Sequence, residues 1–209
     1  MQNGISIYLG LDNTLEENLN LIHLAHKYNL NRIFTSFHIP ETDISHFQQD
    51  LQTILKLTQK YNMEVICDVS PNTLALLNLD TLNIQELATL GITTLRLDFG
   101  YSAEQIAKLS HQNIKLQFNA STITQEFLDE LNHYPTDFQH IDALHNFYPR
   151  EGTGINVKKL QQQNELLHKY NISVGAFIPS YNKARSPIKK GLPTLEIHRY
   201  QTASLAMRH

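Results

Sequence analysis

The chain has 209 residues, of which 41% are hydrophobic, and it carries a formal net charge of −3 at pH 7. This length suits one large domain, and the slight negative charge gives no general attraction to nucleic acid or to acidic membranes. The single cysteine, Cys67, excludes a disulfide framework and a cysteine-based zinc site. We find no leader-like segment before Ile5 and no apolar stretch near the roughly 18 residues of a membrane span, so we expect a cytoplasmic protein that does not enter membranes.

Seven short apolar runs alternate with helix-like stretches along nearly the whole chain. Their first residues lie 20 to 33 positions apart, the length of one strand, one helix and their loops. Such alternation predicts consecutive right-handed βαβ units, and seven near-equal units favour a TIM-type (β/α) barrel in the α/β class. The runs cover residues 5–9, 33–37, 65–69, 94–98, 114–119, 140–144 and 173–177.

Helix signals fall between these runs. Thr14 and Glu17 form a capping-box pattern, and the apolar residues that follow recur at helical spacing from Leu19 onward. Comparable stripes follow the second, third, fifth and sixth runs. A stretch rich in proline, glycine and basic residues, 179–193, predicts a long loop after the seventh run.

Alternation within the runs separates two faces of the predicted sheet. Leu95 and Leu97 share one side, whereas Arg96 and Asp98 share the other. Barrel strands give their apolar face to the surrounding helices, so the polar set is expected inside, either paired or around a wet cavity. That set comprises Ser6, Tyr8, Ser36, His38, Asp68, Arg96, Asp98, Gln117, Asn119, Ser121, Asp142 and Asn146.

Four of these polar residues lie at the carboxyl ends of predicted strands: Asp68, Asp98, Asn119 and Asn146. Barrel enzymes build their sites on that face. A lone strand-end Asp is more often a turn former or a cap. Four such residues on one face favour a cavity that binds a polar ligand.

Short motifs stand in order at the strand ends over almost the whole chain: ISIYLG at 5–10, FTSFHIPE at 34–41, DVSP at 68–71, LRLDFG at 95–100, NAST at 119–122, HNFYPR at 145–150, TG at 153–154, GLPTLE at 191–196 and HR at 198–199. Together these motifs resemble the bacterial 6-phospho-N-acetylmuramidase family. The resemblance implies a cytoplasmic glycoside hydrolase that cleaves the disaccharide of N-acetylmuramic acid 6-phosphate and N-acetylglucosamine during cell-wall recycling.

The end of the chain departs from that family, whose barrel is followed by a small β-rich second domain. Only residues 200–209 follow Arg199, so we expect one incomplete barrel domain over 1–209, without an eighth strand or a second domain. The first and seventh strands would then have unpaired edges. We therefore expect weak stability, self-association across the open edges, and reduced or absent hydrolase activity.

Glycoside hydrolysis usually needs two carboxyl groups, one acidic and one basic or nucleophilic. Asp68 and Asp98 are the best-placed pair, because neighbouring strands lie about 5 Å apart. Glu41, after the second strand, is the third candidate, since its longer side chain could protonate a leaving oxygen from above. The sequence does not rank acid against nucleophile, and no cofactor or metal is expected.

Substrate contacts are expected around these carboxyl groups. Asn119 and Asn146 suit sugar hydroxyl and N-acetyl groups, because an amide both donates and accepts hydrogen bonds. The phosphate and the lactyl carboxylate call for arginine, for which Arg150 and Arg185 are the candidates; a solvated basic loop is an equally weighted reading. Four further residues complete the predicted binding set: Tyr8, Ser36, His38 and His145.

Three other functions compete with the hydrolase. A metal-dependent sugar-phosphate isomerase or epimerase could use His38, Asp68, Asp98 and His145, but the strands themselves lack glutamate at these positions. A Schiff-base aldolase is disfavoured, because no lysine stands at a strand end. The third alternative is a non-catalytic remnant that binds sugar phosphates.

Overall fold

The computed structural model describes residues 2–36, 46–68, 83–98, 100–180 and 183–208. Within these ranges seven strands form one sheet in the order β1 to β7, which confirms the predicted number and sequential order. The register is parallel from β1 to β4 and from β6 to β7. The strands are Gly4–Ser6 (β1), Arg32–Ser36 (β2), Glu64–Asp68 (β3), Thr94–Leu97 (β4), Lys115–Asn119 (β5), Ile141–Leu144 (β6) and Ser173–Gly175 (β7).

Helices alternate with the strands, as the spacing of the apolar runs predicts. In the described part of the chain, a helix follows each of the first six strands and a short one lies near the carboxyl terminus. This succession of βα units is that of the TIM-type barrel class. The helices are Leu15–Lys27 (α1), Phe47–Lys60 (α2), Ile84–Leu90 (α3), Ala103–Ser110 (α4), Gln125–Asn132 (α5), Val157–His168 (α6) and Ala203–Ala206 (α7).

The chain divides into two compact units. The first unit runs to Gly100 and includes Gln112–Leu116, so it contains β1–β4, α1–α3 and the start of β5. Its core joins helix and strand side chains that are fully buried, among them Ile22 of α1, Ile33 of β2 and Ile66 of β3. These apolar contacts supply the main stabilisation of the unit.

A row of polar side chains crosses the amino ends of β2–β5 in the first unit. Arg32 donates from Nε and Nη2 to the Glu64 carboxylate at 2.7 and 3.0 Å, because the register sets the two residues side by side. Thr94 Oγ1 donates to Glu64 Oε1 at 2.6 Å, and Lys115 Nζ lies 4.0 Å from the same oxygen. We call these four residues the amino-end row.

The second unit comprises Tyr101–His111 and Gln117–His209. Phe118 of β5 contacts Phe127 of α5 edge-on, with ring centroids 6.2 Å apart. Its neighbour Gln117 instead donates from Nε2 to Asp142 Oδ1 of β6 at 2.8 Å. Alternate β5 residues thus face a helix and a neighbouring strand's polar side chain, as the period of two predicts.

The strands at the two ends of the sheet order are shorter than their apolar runs. β1 ends at Ser6 although Ile7, Tyr8 and Leu9 are buried as well. Ile7 still donates to the Phe34 carbonyl at 2.9 Å, and the chain then turns at Gly10, whose φ is 67°. The apolar run therefore marks burial, which extends past the ladder of strand hydrogen bonds.

Candidate active site

Two carboxylates lie where β3 and β4 end, both within the first unit. Asp68 is the last residue of β3, beside Ser36 in the register, and Ser36 Oγ donates to Asp68 Oδ2 at 2.6 Å. On its other side the register pairs Asp68 with Arg96 of β4. Ser36 and Asp68, both predicted from sequence, are thus brought into direct contact.

Asp98 follows β4 and is held by a buried cation. Arg96 Nε donates to Asp98 Oδ1 at 3.0 Å; the Arg96 side chain is 3% exposed, whereas that of Asp98 is 34% exposed. The guanidinium carbon of Arg96 also lies 6.0 Å from the centroid of the Phe34 ring. Asp98 is thus a solvent-accessible carboxylate that a buried arginine holds in place, and it follows the strand next to the one that ends in Asp68.

The cysteine beside this pair is unsuited to nucleophilic chemistry. Cys67 precedes Asp68 and is fully buried. Burial raises the pKa of its thiol well above the ordinary value, and the charge of Asp68 raises it further. The thiol therefore stays protonated and is a poor nucleophile.

Asn119 and Asn146 lie within the second unit, at the end of β5 and just after β6. Asn119 is the last residue of β5, and its Oδ1 accepts from the Ser121 backbone N–H at 3.1 Å. The Asn146 backbone N–H donates to Ser121 Oγ at 3.0 Å, and its carbonyl accepts from Thr194 Oγ1 at 2.9 Å. Both predicted asparagines therefore connect to one turn through Ser121, Asn119 by its side chain and Asn146 by its backbone.

His145 is completely buried. Its Nδ1 lies 3.1 Å from Ser121 Oγ, and its Nε2 lies 2.9 Å from Oδ1 of Asn164 on α6. Of the residues predicted to bind substrate, Tyr8 is also largely buried, at 9% exposure. His38 and Glu41 lie outside the described residues.

A salt bridge between the buried Arg199 and the half-buried Glu196 joins the loops that follow β6 and β7. The Glu196 carboxylate accepts from the Gly152 and Gly154 N–H groups at 2.9 and 2.7 Å and pairs with Arg199 at 2.6 Å. The hydrogen bonds from Arg199 and then those two N–H groups lower the pKa of Glu196 to about 2. We call this pair the Glu196–Arg199 clamp.

Arg199 itself reaches backbone carbonyls of both loops. Its side chain is 1% exposed and donates to Tyr148 and Arg150 at 2.9 and 3.0 Å, and to Lys190 and Gly191 at 3.2 and 3.4 Å. Glu196 and Arg199 stand within the family-like motifs, but the sequence pattern predicts no role for them. An acidic residue three positions before an arginine is the local signal available, and it does not show which loops the pair would join.

The two predicted anion-binding arginines sit on these clamped loops. Arg150 is exposed, and Arg185 is half-buried with its guanidinium carbon 5.6 Å from the centroid of the Phe147 ring. Phe147 packs edge-on against Phe177, with centroids 5.2 Å apart. The Phe147 ring helps to hold the Arg185 guanidinium in place, and Arg185 Nε also donates to the Ser186 carbonyl at 3.2 Å.

The described residues contain neither a cluster of metal-ligating side chains nor a helix that could span a membrane. No group of three or more histidine, cysteine, aspartate or glutamate side chains there is placed to hold a metal ion. In the same ranges, no helix has the length and apolar character that crossing a membrane requires.

Comparisons with known proteins place the fold and the family. No curated protein matches the chain. It is similar to the structure of a conserved protein of unknown function from Enterococcus faecalis, at 35% identity and a TM-score of 0.84, covering 95% of this chain and 54% of that one. An uncharacterized B. cereus protein gives 28% identity and a TM-score of 0.76 over the same shares.

A more distant likeness concerns the fold alone. The HpcH/HpaI aldolase from Desulfitobacterium hafniense is 10% identical, with a TM-score of 0.54 over 87% of this chain and 80% of that one. Together with the seven βα units, it defines an α/β protein of the TIM-barrel class.

The family is shown by a model described as 6-phospho-N-acetylmuramidase, N-terminal, which matches residues 3–209. The chain belongs to this family, whose activity is that of a glycosidase. It spans about half the length of the two bacterial structures it matches, at 54% of each.

Proposed function

We propose that this chain is the barrel part of a glycoside hydrolase that cleaves N-acetylmuramic acid 6-phosphate from N-acetylglucosamine. The observation that carries the proposal is the pair of carboxylates at the ends of the adjacent strands β3 and β4, in a chain of the 6-phospho-N-acetylmuramidase family. Two carboxyl groups around a scissile bond are the usual requirement of this reaction. The physiological setting that fits is cytoplasmic recycling of peptidoglycan.

The environment of the carboxylates supports a division of roles. Asp98 pairs with the buried Arg96 as a carboxylate, so it suits the base or the nucleophile. Proton donation to the leaving oxygen then falls to Asp68 or Glu41. Substrates with a good leaving group need little protonation, so the variant of the acid should recover activity on an activated aryl glycoside.

We propose that residues of the second unit bind the polar groups of the substrate. Asn119 and Asn146 offer amides to sugar hydroxyl or N-acetyl groups. Arg150 and Arg185 offer guanidinium groups to the phosphate and to the lactyl carboxylate, on loops whose backbones the Glu196–Arg199 clamp holds together. In the first unit, Tyr8 and Ser36 are proposed to complete the binding set, together with His38.

The test is hydrolysis of the phosphorylated disaccharide, followed by mass spectrometry of the two sugars. The 209-residue chain and the longer Enterococcus faecalis relative are assayed side by side, with the disaccharide lacking phosphate as control. We expect cleavage that depends on the phosphate. Equal cleavage of both disaccharides would contradict the substrate assignment, and failure of both proteins to bind or cleave either one would contradict the function.

A further inference from the structure

A chain of hydrogen bonds runs through the buried His145 imidazole in the second unit. It begins at Asn164 of α6, whose Oδ1 lies 2.9 Å from His145 Nε2. His145 Nδ1 lies 3.1 Å from Ser121 Oγ, and that oxygen accepts from the Asn146 backbone N–H at 3.0 Å. We call these four residues the His145 relay.

The chemistry of the groups gives the relay one direction. An amide oxygen only accepts, so Nε2 is the donor toward Asn164 Oδ1, and in the neutral ring Nδ1 then presents a lone pair. The Ser121 hydroxyl then donates to Nδ1 while its oxygen accepts from Asn146. The helix residue Asn164 therefore determines which way the Ser121 hydroxyl points.

The turn that carries Ser121 contacts both asparagines proposed to bind the sugar, Asn119 through its side chain and Asn146 through its backbone N–H. The Ser121 backbone N–H donates to Asn119 Oδ1 at 3.1 Å, which orients that side chain at the end of β5. Gln163 of α6 anchors the same turn by donating to the Ser121 and Ile123 carbonyls, each at 3.3 Å. A shift of Ser121 would therefore move Asn119 and Asn146 together.

We propose that His145 is a positioning residue that acts through Ser121 to set Asn119 and Asn146 for the amino sugar. The proposal rests on the proposed function, since it names how two of its binding residues are held. It moves His145 from the surface that contacts the sugar to the layer behind it, in agreement with complete burial of the ring.

A serine beside a histidine and an amide also has the order of a nucleophile, its base and an orienting group. In this structure the Ser121 oxygen already accepts from the Asn146 N–H, which fits a structural link better than a nucleophile. The distinction is measurable with a fluorophosphonate probe, which labels activated serines. Covalent labelling of Ser121 that disappears in His145→Phe would overturn the positioning role.

The kinetic test compares Ser121→Ala and His145→Phe with Ser121→Thr, which keeps the hydroxyl. We expect Ser121→Ala and His145→Phe to raise KM for the phosphorylated disaccharide about tenfold, with kcat changed by less than about threefold. Ser121→Thr should keep KM close to that of the native chain. Leu128→Ala, in the fully buried core of α5, serves as control: it should lower the melting temperature without changing KM.

A double-mutant cycle tests the coupling directly. Adding Ser121→Ala to the Asn119→Ala/Asn146→Ala variant should weaken binding by less than about twofold further, because both side chains that Ser121 is proposed to position are already gone. Full multiplication of the separate effects would show that Ser121 does not act through these asparagines. Unchanged KM in His145→Phe, in a protein that cleaves the disaccharide, would overturn the relay while leaving the proposed function standing.

A spectroscopic readout separates the relay from the function. In ¹⁵N–¹H spectra of the 209-residue chain, His145 should show a proton on Nε2, and His145→Phe should shift the Asn119 side-chain and Asn146 backbone signals. Leu128→Ala should leave those signals in place. If neither this chain nor the longer Enterococcus faecalis relative binds or cleaves the disaccharide, the proposed function fails; if the asparagine signals do not move in His145→Phe, the relay fails, whatever the activity.

Discussion

Asp98 is accessible to solvent, whereas the arginine that binds it is buried. The contrast matters for chemistry, because a carboxylate fixed by Arg96 needs no reorganisation when charge develops on a sugar. Asp68 has a different environment, with the Ser36 hydroxyl 2.6 Å away. Two carboxyl groups in unlike surroundings are the usual basis for dividing acid and base roles.

We expect Asp68→Asn and Asp98→Asn each to lower kcat/KM for the phosphorylated disaccharide by at least about a hundredfold, because each removes a carboxyl group that we propose takes part in the reaction. The measurement is steady-state hydrolysis in the longer Enterococcus faecalis relative at the equivalent positions, with circular dichroism to check folding. Ser36→Ala is the matched control, since it removes only the hydroxyl next to Asp68 and should cost much less. Near-normal turnover in both aspartate variants would move the role to Glu41 or elsewhere.

The Glu196–Arg199 clamp gives a pH dependence whose sign follows from its charge. The folded pKa of Glu196, about 2, lies below the ordinary 4.5, so its stabilisation is fully present above about pH 4.5 and declines as the pH falls toward 2. We expect the stability difference between the native chain and Glu196→Gln to shrink by on the order of 2 kcal/mol over this interval. Urea unfolding at several pH values measures it.

The control for this pH dependence is Glu130→Gln, on the exposed face of α5. It changes one carboxylate to an amide without touching the clamp, and its stability difference should change little with pH. A gap between the native chain and Glu196→Gln that stays constant down to pH 2 would contradict the role of the Glu196 charge.

The sequence could predict single residues better than their partners. Strand-end position and alternation predict that Asp68 and Asp98 lie on one edge, and the structure brings Ser36 to Asp68. The partner of His145 could not be predicted, because Asn164 lies 19 positions away on α6 and contacts it only after that helix packs. Likewise, the role of Glu196 depends on its contacts with Gly152 and Gly154, which are far away in sequence. The approach is so close that an added Cβ at Gly154 would lie 2.7 Å from Glu196.

At the scale of elements, two helices begin with complete capping boxes. Thr14 accepts from the Glu17 N–H at 3.2 Å while Glu17 accepts from the Thr14 N–H at 2.8 Å, as the sequence predicts for α1. Ser102 and Gln105 repeat the arrangement at α4, with 3.3 and 2.8 Å. In each case the box satisfies two N–H groups that the helix itself leaves without partners.

We expect Thr14→Ala and Ser102→Ala each to lower the free energy of unfolding by about 1 kcal/mol, because both remove the side-chain acceptor of a helix start. Thr14→Ser and Ser102→Thr keep the hydroxyl and should stay within a few tenths of the native value. Chemical denaturation measures all four variants. Equal losses in the alanine and hydroxyl-retaining variants would show that packing, and not capping, accounts for the effect.

Elements were predictable in type and order, less so in length. Hydrophobic periodicity and helix caps depend on residues close in sequence, so tertiary packing does not change them. For this reason α1 begins where Thr14 predicts. The ends of β1 depend on the adjacent strand, since pairing with β2 stops soon after Ser6 while burial continues to Leu9. A composition pattern reports burial and cannot show where a partner strand ends.

At the scale of the molecule, β1 and β7 stand at the two ends of the strand order. Each has three residues, and both begin with an exposed one. Within the described residues each has one neighbouring strand in that order, so the outer backbone groups resemble the edges through which sheets associate. This supports the self-association that we propose for the chain.

We expect the chain to associate with itself in a concentration-dependent way, measured by sedimentation velocity. Ser173→Lys, at the exposed start of β7, should reduce this association because a charge on an edge strand opposes strand pairing. Gln162→Lys adds the same charge at an exposed position of α6 and should leave it unchanged. A chain that sediments as a monomer at all concentrations would contradict the proposal.

The amino-end row bears on how the strands find their alignment during folding. Sliding β2 along β3 by two residues keeps every side chain on its own face, so apolar patterning alone penalises such an error weakly. The error would, however, set the half-buried Arg32 opposite Ile66 or Asn62 instead of Glu64 and leave its charge without a counter-ion. Ion pairing at one end of the strands thus selects the alignment that brings Ser36 beside Asp68 at the other.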